Sequence, residues 1–600
     1  MKRKLLIYLI AGICIFSGCA GGETADNNGS VTGDLQTAES AKHPVTENTL
    51  TDETESGEFF VPRLDERAVT NTISDEVKNK AALMPTASYD SLPDWYGTTI
   101  FNRYEYGWTG SDNLSNEFDE TTVQEISDIG FNFVRVLIDT RFFYTEEVGN
   151  PGSHFDGDSE RVNLNVLKNL DDLITWCIER DIHVCLDVHN TPGGYMIGGD
   201  EEASRELLFT EGSAEEQIFF DYWDLISRRY KDISTNALSF NLYNEPPDFV
   251  EDEQYTAFVK KLLEIVWDQN ENRLVFVDML KYAREPVYGL VGEKIVQCFH
   301  VYEPYDFTHC NQDRLFNVYD GDKPEIIPYP VLPVSCTLYS ENSYTIHGDF
   351  PARTRLYVDS AMGEPGGEFI VKYDGKEVYR QSISESFIAE NGLSIFSDEY
   401  GGRYYNSYEE EKDPVRMKII ADDEAKEIEF IYISKDGGDG WFEINDLVVE
   451  TDKVRTKIHS VWLDDVQMPP ADITIDPDTG IYTLNTAYDE KDTIGRDDME
   501  ERIRKYYDFS VETGTPVMMQ ETGDIVFTDT PSTVRYLDDV ISTCEKYGIG
   551  WVIYSHDGVE FSYVAVEDKF RRINGNYEEI NPGRYIETNI RDLFESHIYK

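Results

Sequence analysis

The feature that most constrains the fold is a rhythm. Short uninterrupted apolar runs alternate with stretches that read as amphipathic helices, and eight such runs occur. They lie at 98–104, 131–138, 183–188, 237–242, 274–277 and 294–299, then far downstream at 517–520 and 550–554. The helical stretches fall at 120–129, 163–180, 215–230, 255–269, 498–512 and 533–547. Within 163–180, Leu167, Leu170, Leu173, Ile174 and Cys177 recur at helical spacing, which gives one apolar face. Strands that are apolar throughout, instead of alternating, are covered on both sides. Eight such strands alternating with helices predict an α/β chain folded as a (β/α)8 TIM barrel.

The rhythm breaks once. Over 334–490 no helix is expected, and short alternating strands appear at 354–358, 368–373 and 427–433, with turn signals such as Asp374-Gly375. This predicts a jelly-roll-like β-sandwich inserted between barrel strands six and seven. The stretch 440–449 resembles the closing strand of a carbohydrate-binding jelly roll, so the insert is a possible carbohydrate-binding module. The barrel is then split, with strands one to six over 93–333 and strands seven and eight over 491–600. A chain of 600 residues has room for both.

The beginning of the chain reads as a processing signal. Lys2, Arg3 and Lys4 precede an apolar run over 5–16, too short for a comfortable membrane span. The run ends in Ser17-Gly18-Cys19, which resembles a bacterial lipobox. The expectation is a signal peptide over 1–19, lipid attachment at Cys19 and an extracytoplasmic protein anchored to the membrane. Residues 20–92 are rich in Thr, Ser, Glu, Asp and Asn and read as a polar tether. The balance of 53 basic against 115 acidic residues, a formal charge of -62, argues against nucleic acid as a partner, which needs a basic footprint. Cys177, Cys185 and Cys298 read as core residues, and Cys310 and Cys336 as a pair that could bridge a loop.

Chemistry is expected where strands end, because parallel barrels place their sites at the C-terminal ends of strands. The fourth apolar run leads into Asn244-Glu245-Pro246-Pro247. Proline cannot donate to a sheet ladder, so the strand stops there and leaves Glu245 at its end. Glu521 follows the seventh run in the same way. Two carboxylates at two strand ends suit glycosidic bond cleavage, which needs a proton donor and an anion below the anomeric carbon.

With these positions in place, the chain resembles glycoside hydrolase family 5, the cellulase and mannanase group of (β/α)8 barrels. The resemblance rests on Arg135 on strand two, His189 after strand three, Asn244 and Glu245 after strand four, His300 and Tyr302 on strand six, Glu521 on strand seven and Trp551 on strand eight. It implies that Glu245 is the acid and base, and that Glu521 is the nucleophile of a retaining mechanism. Arg135 and Tyr302 would favour the ionised nucleophile, Asn244 would bind the sugar 2-hydroxyl, His189 and His300 would position the sugar, and Trp551 would offer it an apolar platform. The implied activity is that of an endo-β-1,4-glycanase, with β-glucan as first choice and mannan or xyloglucan next. Around Glu521 the sequence reads Gln520-Glu521-Thr522-Gly523 where the family often shows Gly-Glu-Phe. That departure motivates a second expectation, a surface glycan-binding lipoprotein that no longer catalyses. No cofactor is implied and no metal is expected, since neither histidine has a His or Cys partner at ligand spacing. A monomer is expected. Tyr104, Trp108 and Tyr195 are further candidates to line the cleft.

Overall fold

The eight barrel strands are β1 (Tyr96–Ile100), β2 (Phe133–Asp139), β3 (His183–Asn190), β4 (Leu238–Asn241), β5 (Val275–Asp278), β6 (Val296–Val301), β7 (Val517–Thr522) and β8 (Trp551–Ile553). In the computed structural model they pair in that order, all parallel, and β8 closes on β1. The described residues are 66–100, 118–143, 162–192, 207–312, 323–334, 337–340, 342–397, 402–408, 410, 412–435, 440–459, 471–486, 493–557, 561–566 and 571–600. Cys19, Tyr104, Trp108, Tyr195 and Cys336 lie outside them, as does the expected signal peptide.

The expected helices form within a few residues of their predicted bounds: α2 (Glu120–Ile129), α3 (Leu164–Glu179), α4 (Ala214–Arg229), α5 (Asp252–Gln269), α6 (Arg496–Thr513) and α7 (Thr530–Lys546). Asp119 caps α2 by accepting from the backbone N–H of Thr122, and Gly130 ends it at φ 100°, a conformation that glycine adopts without strain. The faces that α2 to α5 turn inward join the outer side of the barrel in one apolar cluster.

Inside the barrel the side chains form layers, because alternate residues of a strand point to the same side. The lower layer is apolar, with Phe133, Cys185, Phe276, Cys298, Met518 and Val552. Two residues further along the same strands stand Arg135, Asp187, Asp278, His300, Gln520 and Tyr554. The barrel interior therefore changes from apolar to polar toward the C-terminal ends of its strands. β7 carries a bulge between Met519 and Glu521, where Glu521 falls opposite His300. A bulge re-aims the side chains around it.

The packed chain starts earlier than the expected tether allows. Helix α1 (Asp75–Leu83) is capped by Ser74, and Ala68, Ile73, Val77, Ala81 and Met84 join the outer barrel cluster. Their spacing is helical but spread thinly among polar residues, so composition alone hides it.

Between β6 and β7 the described residues build three further sheets, of five, five and six strands. They share their own hydrophobic cluster, which includes Leu356, Phe369, Phe430, Phe442 and Leu447. Two details differ from the sequence reading. The strand Glu325–Ile326 already pairs with Arg455–His459, so the sheets draw in residues before 334. A helix, Glu385–Glu390, interrupts a region expected to lack one; Ser384 caps it, and it is too short to show periodicity. Cys310 is a buried free thiol, as are Cys177, Cys185, Cys298 and Cys544. No helix among the described residues is long and apolar enough to cross a membrane.

Candidate active site

Seven of the eight strand-end residues singled out in the sequence meet at one end of the barrel. Arg135 is fully buried within β2. Its Nη1 donates to Oε1 of Glu521, and its Nη2 donates to Oδ1 of Asn244 at 2.7 Å. Nη2 also lies 3.1 Å from Oδ1 of Asp187. An unpaired buried guanidinium would be very costly, and this ring of acceptors offsets the cost.

Glu521 is buried at the end of β7 and is gripped from several sides. The Tyr302 hydroxyl donates to its Oε2 at 2.7 Å, and Nδ1 of His300 stands 3.6 Å from the same oxygen. Burial pushes this carboxyl up, but His300, Arg135 and His189, together with the Tyr302 hydrogen bond, hold it down to about 2. It is therefore an anion at any ordinary pH.

Glu245 follows β4 and keeps about a quarter of its side chain exposed. Its backbone sits at φ 47°, in the left-handed region that non-glycine residues rarely occupy. Nδ1 of His300 lies 2.7 Å from its Oε1. One carboxylate oxygen of Glu245, one of Glu521 and a ring nitrogen of His300 all lie within 4.8 Å of one another. Burial works against a charge on His300, yet the carboxylates of Glu521, Asp278 and Glu245 raise its pKa.

His189 stands at the edge of this group. Its Nδ1 is 3.6 Å from Oδ2 of Asp187, and its ring stacks beside Tyr554 with centroids 6.5 Å apart.

Trp551 does not join the site, which corrects the sequence reading. It is 2% exposed and packs against Tyr96, Phe131 and Phe594 in the outer apolar cluster. The reason is parity along β8. Val552 belongs to the barrel interior, so Trp551 points outward, and Tyr554 falls on the inward side. Tyr554 instead stands beside His189, flanked by Phe561 at 5.8 Å, and Phe561 in turn lies 5.7 Å from Tyr302.

Sequence reasoning also missed Asp187, Asn241, Asp278 and Gln520. Nδ2 of Asn241 donates to Oδ1 of Asp278 at 2.8 Å and to Oε1 of Gln520 at 3.1 Å. The signal was available, since each stands two residues beyond an inward residue of the same strand. The unusual surroundings of Glu521 now have a local account. Gln520 faces inward by regular alternation from Met518, the bulge turns Glu521 in beside it opposite His300, and the Thr522 hydroxyl lies 3.1 Å from that of Tyr536. Gly523 runs so close to β8 that an added Cβ would sit 2.2 Å from the Tyr554 carbonyl oxygen.

This arrangement has the parts for acid-assisted displacement: a buried carboxylate held in its ionised form, a second, partly exposed carboxyl close by, and the Tyr302 hydroxyl on the first. The family model for cellulase, glycosyl hydrolase family 5, matches residues 96–436, more than half of the chain. Cellodextrinase A of Ruminococcus flavefaciens is 26% identical over 216 residues, covering 33% of this chain and 55% of that protein. Endoglucanase C of Acetivibrio thermocellus is 24% identical over 212 residues, covering 34% and 56%. The chain thus spans about half the length of the relatives it matches. A crystal structure described as a glycoside hydrolase aligns over 84% of this chain and 99% of its own, with a TM-score of 0.48 and 16% identity. With its closed eight-stranded barrel and the match over 96–436, the chain belongs to glycosyl hydrolase family 5, the cellulase family.

Proposed function

We propose that the protein is a retaining endo-β-1,4-glycanase that hydrolyses a plant-type polysaccharide by double displacement. The observation that carries this reading is the closeness of the two carboxyl groups, with one oxygen of each within 4.8 Å of the other. Retaining enzymes hold the pair about 5–5.5 Å apart, whereas inverting ones leave room for a water at about 6.5–9.5 Å. In the first step Glu521 attacks the anomeric carbon while Glu245 gives its proton to the leaving oxygen. In the second step Glu245 takes a proton from water, and that water displaces Glu521 from the sugar. Asn244, held by Arg135, is placed to bind the 2-hydroxyl, an interaction that strengthens in the transition state. Tyr554 takes the platform role first expected of Trp551.

β-Glucan is the first choice of substrate, with mannan or xyloglucan next. The similar proteins named as endoglucanase and cellodextrinase support that order. A polysaccharide screen with product sizing and NMR of the first-formed anomer tests the reading. Release of β-anomer by wild type, lost in Glu521→Ala and Glu245→Gln, is the expected result. Binding without release of reducing ends, or an inverted product, would overturn it.

Two further parts belong to this reading. Cys19 is the lipid attachment point and the enzyme faces outward from the membrane; a Cys19→Ser chain that still partitions with membranes would refute this. The sheets between β6 and β7 form a glycan-binding sandwich that keeps substrate near the site. Deleting 334–490 should then weaken retention on insoluble polysaccharide, and unchanged retention would remove the idea.

A further inference from the structure

The double displacement gives no role to Asp278, a carboxylate of the site. Asp278 ends β5 and is fully buried. Its Oδ2 accepts the backbone N–H of Glu245 at 3.0 Å and lies 3.4 Å from Nε2 of His300. Its Oδ1 is held by Nδ2 of Asn241. One oxygen thus touches both the backbone of Glu245 and the far side of the imidazole that rests on the Glu245 carboxylate.

Both contacts bear on Glu245. A non-glycine residue at φ 47° is strained and persists only when its surroundings restrain it. The hydrogen bond from its N–H to Asp278 is such a restraint. At the imidazole, Nε2 makes no hydrogen bond among the described residues, and the 3.4 Å separation is an ion-pair contact. A carboxylate on that side favours a proton on Nε2 and leaves Nδ1 to follow the state of Glu245. When Glu245 is protonated, a neutral His300 accepts from it; when Glu245 is ionised, imidazolium donates to it.

We propose that Asp278 is a positioning residue for the acid and base, setting both the backbone of Glu245 and the tautomer of His300. The proposal rests on the assignment of Glu245 as acid and base. The charged groups that face Asp278 and His300 from the neighbouring strands are Arg135, Asp187, Glu245 and Glu521, and the Tyr255 hydroxyl and Cys298 thiol also lie close. Burial pushes Asp278 up to about 6, against the pull of His300 and Arg135.

The test compares leaving groups. A dinitrophenyl glycoside departs without a proton, whereas an unactivated oligosaccharide needs one. With the best oligosaccharide from the substrate screen and its dinitrophenyl glycoside, kcat/KM is measured for wild type, Asp278→Asn and Glu245→Ala. Asp278→Asn should lose about 30-fold on the oligosaccharide and less than about 3-fold on the dinitrophenyl glycoside. Equal loss on both, or no loss, overturns the proposal. A Glu245→Ala variant indifferent to leaving group overturns the acid assignment itself and the proposal with it. Should Asp278 variants not fold, 15N NMR of histidine-labelled wild type decides, with His300 assigned by its disappearance in His300→Gln. A proton on Nε2 is expected, and an unprotonated Nε2 refutes the proposal.

Discussion

The hydroxyl of Tyr302 donates to Oε2 of Glu521 at 2.7 Å, crossing from just beyond β6 to the neighbouring β7. It is a hydrogen bond to a buried anion, and such bonds contribute about 1.5–3 kcal/mol. Tyr302→Phe removes it while keeping the ring that packs against Phe561. The expected result is a fall in kcat/KM of about 10- to 100-fold with little change in melting temperature. Steady-state kinetics beside a thermal melt would check it, and an unchanged kcat/KM would remove Tyr302 from the site's electrostatics.

Arg135 is predicted to tolerate no replacement by lysine. An ammonium cannot serve Glu521 and Asn244 through separate nitrogens of a rigid fork. Arg135→Lys should lower kcat/KM by about 100-fold or more, since it disturbs both Glu521 and Asn244. Breaking a buried pair of this kind also costs about 3–5 kcal/mol of stability. Denaturant melts and kinetics on the same preparation would measure both effects.

The depressed pKa of Glu521 makes a stability claim with a definite sign. Its folded value of about 2 lies below the unfolded carboxylate value of about 4.3. Its ionisation therefore stabilises the fold above pH about 4.3, and that contribution fades as pH falls toward 2. The contribution is on the order of 3 kcal/mol when fully present. Urea unfolding of wild type and Glu521→Gln at pH 7 and pH 3 would show it. The gap between the two proteins should narrow on acidification, and a gap independent of pH would contradict the assignment.

Trp551 and Tyr554 should separate cleanly. Trp551→Leu removes a buried ring from contact with Phe131 and Phe594 and should cost about 2–4 kcal/mol, with KM near that of wild type. Tyr554→Leu should instead raise KM or lower kcat/KM, because its ring stands beside His189. Thermal melts and kinetics on both variants would test this. A KM defect in Trp551→Leu without loss of stability would restore the sugar-platform role to Trp551.

The sequence by itself determined the barrel and most of the residues that meet at the ends of its strands. Continuous apolar runs require cover on both faces, and eight of them alternating with helices leave little besides a closed parallel barrel. Pro246 and Pro247 bar the ladder from continuing and so place Glu245 just beyond β4, which ends at Asn241. Arg135, Asn244, His300, Tyr302 and Glu521 were legible because each stands at or just beyond the end of a readable strand. The tertiary structure decided what depends on direction and on contacts between strands. Whether an aromatic at β8 faces the site or the outer core turns on parity with Val552, which sent Trp551 outward and Tyr554 toward His189. The bulge that turns Glu521 inward, opposite His300, is a mismatch between β6 and β7, visible only once they pair. Asp278 looked like one acid among 115. Its place against Glu245 and His300 comes from closing the barrel, which brings β4, β5 and β6 side by side.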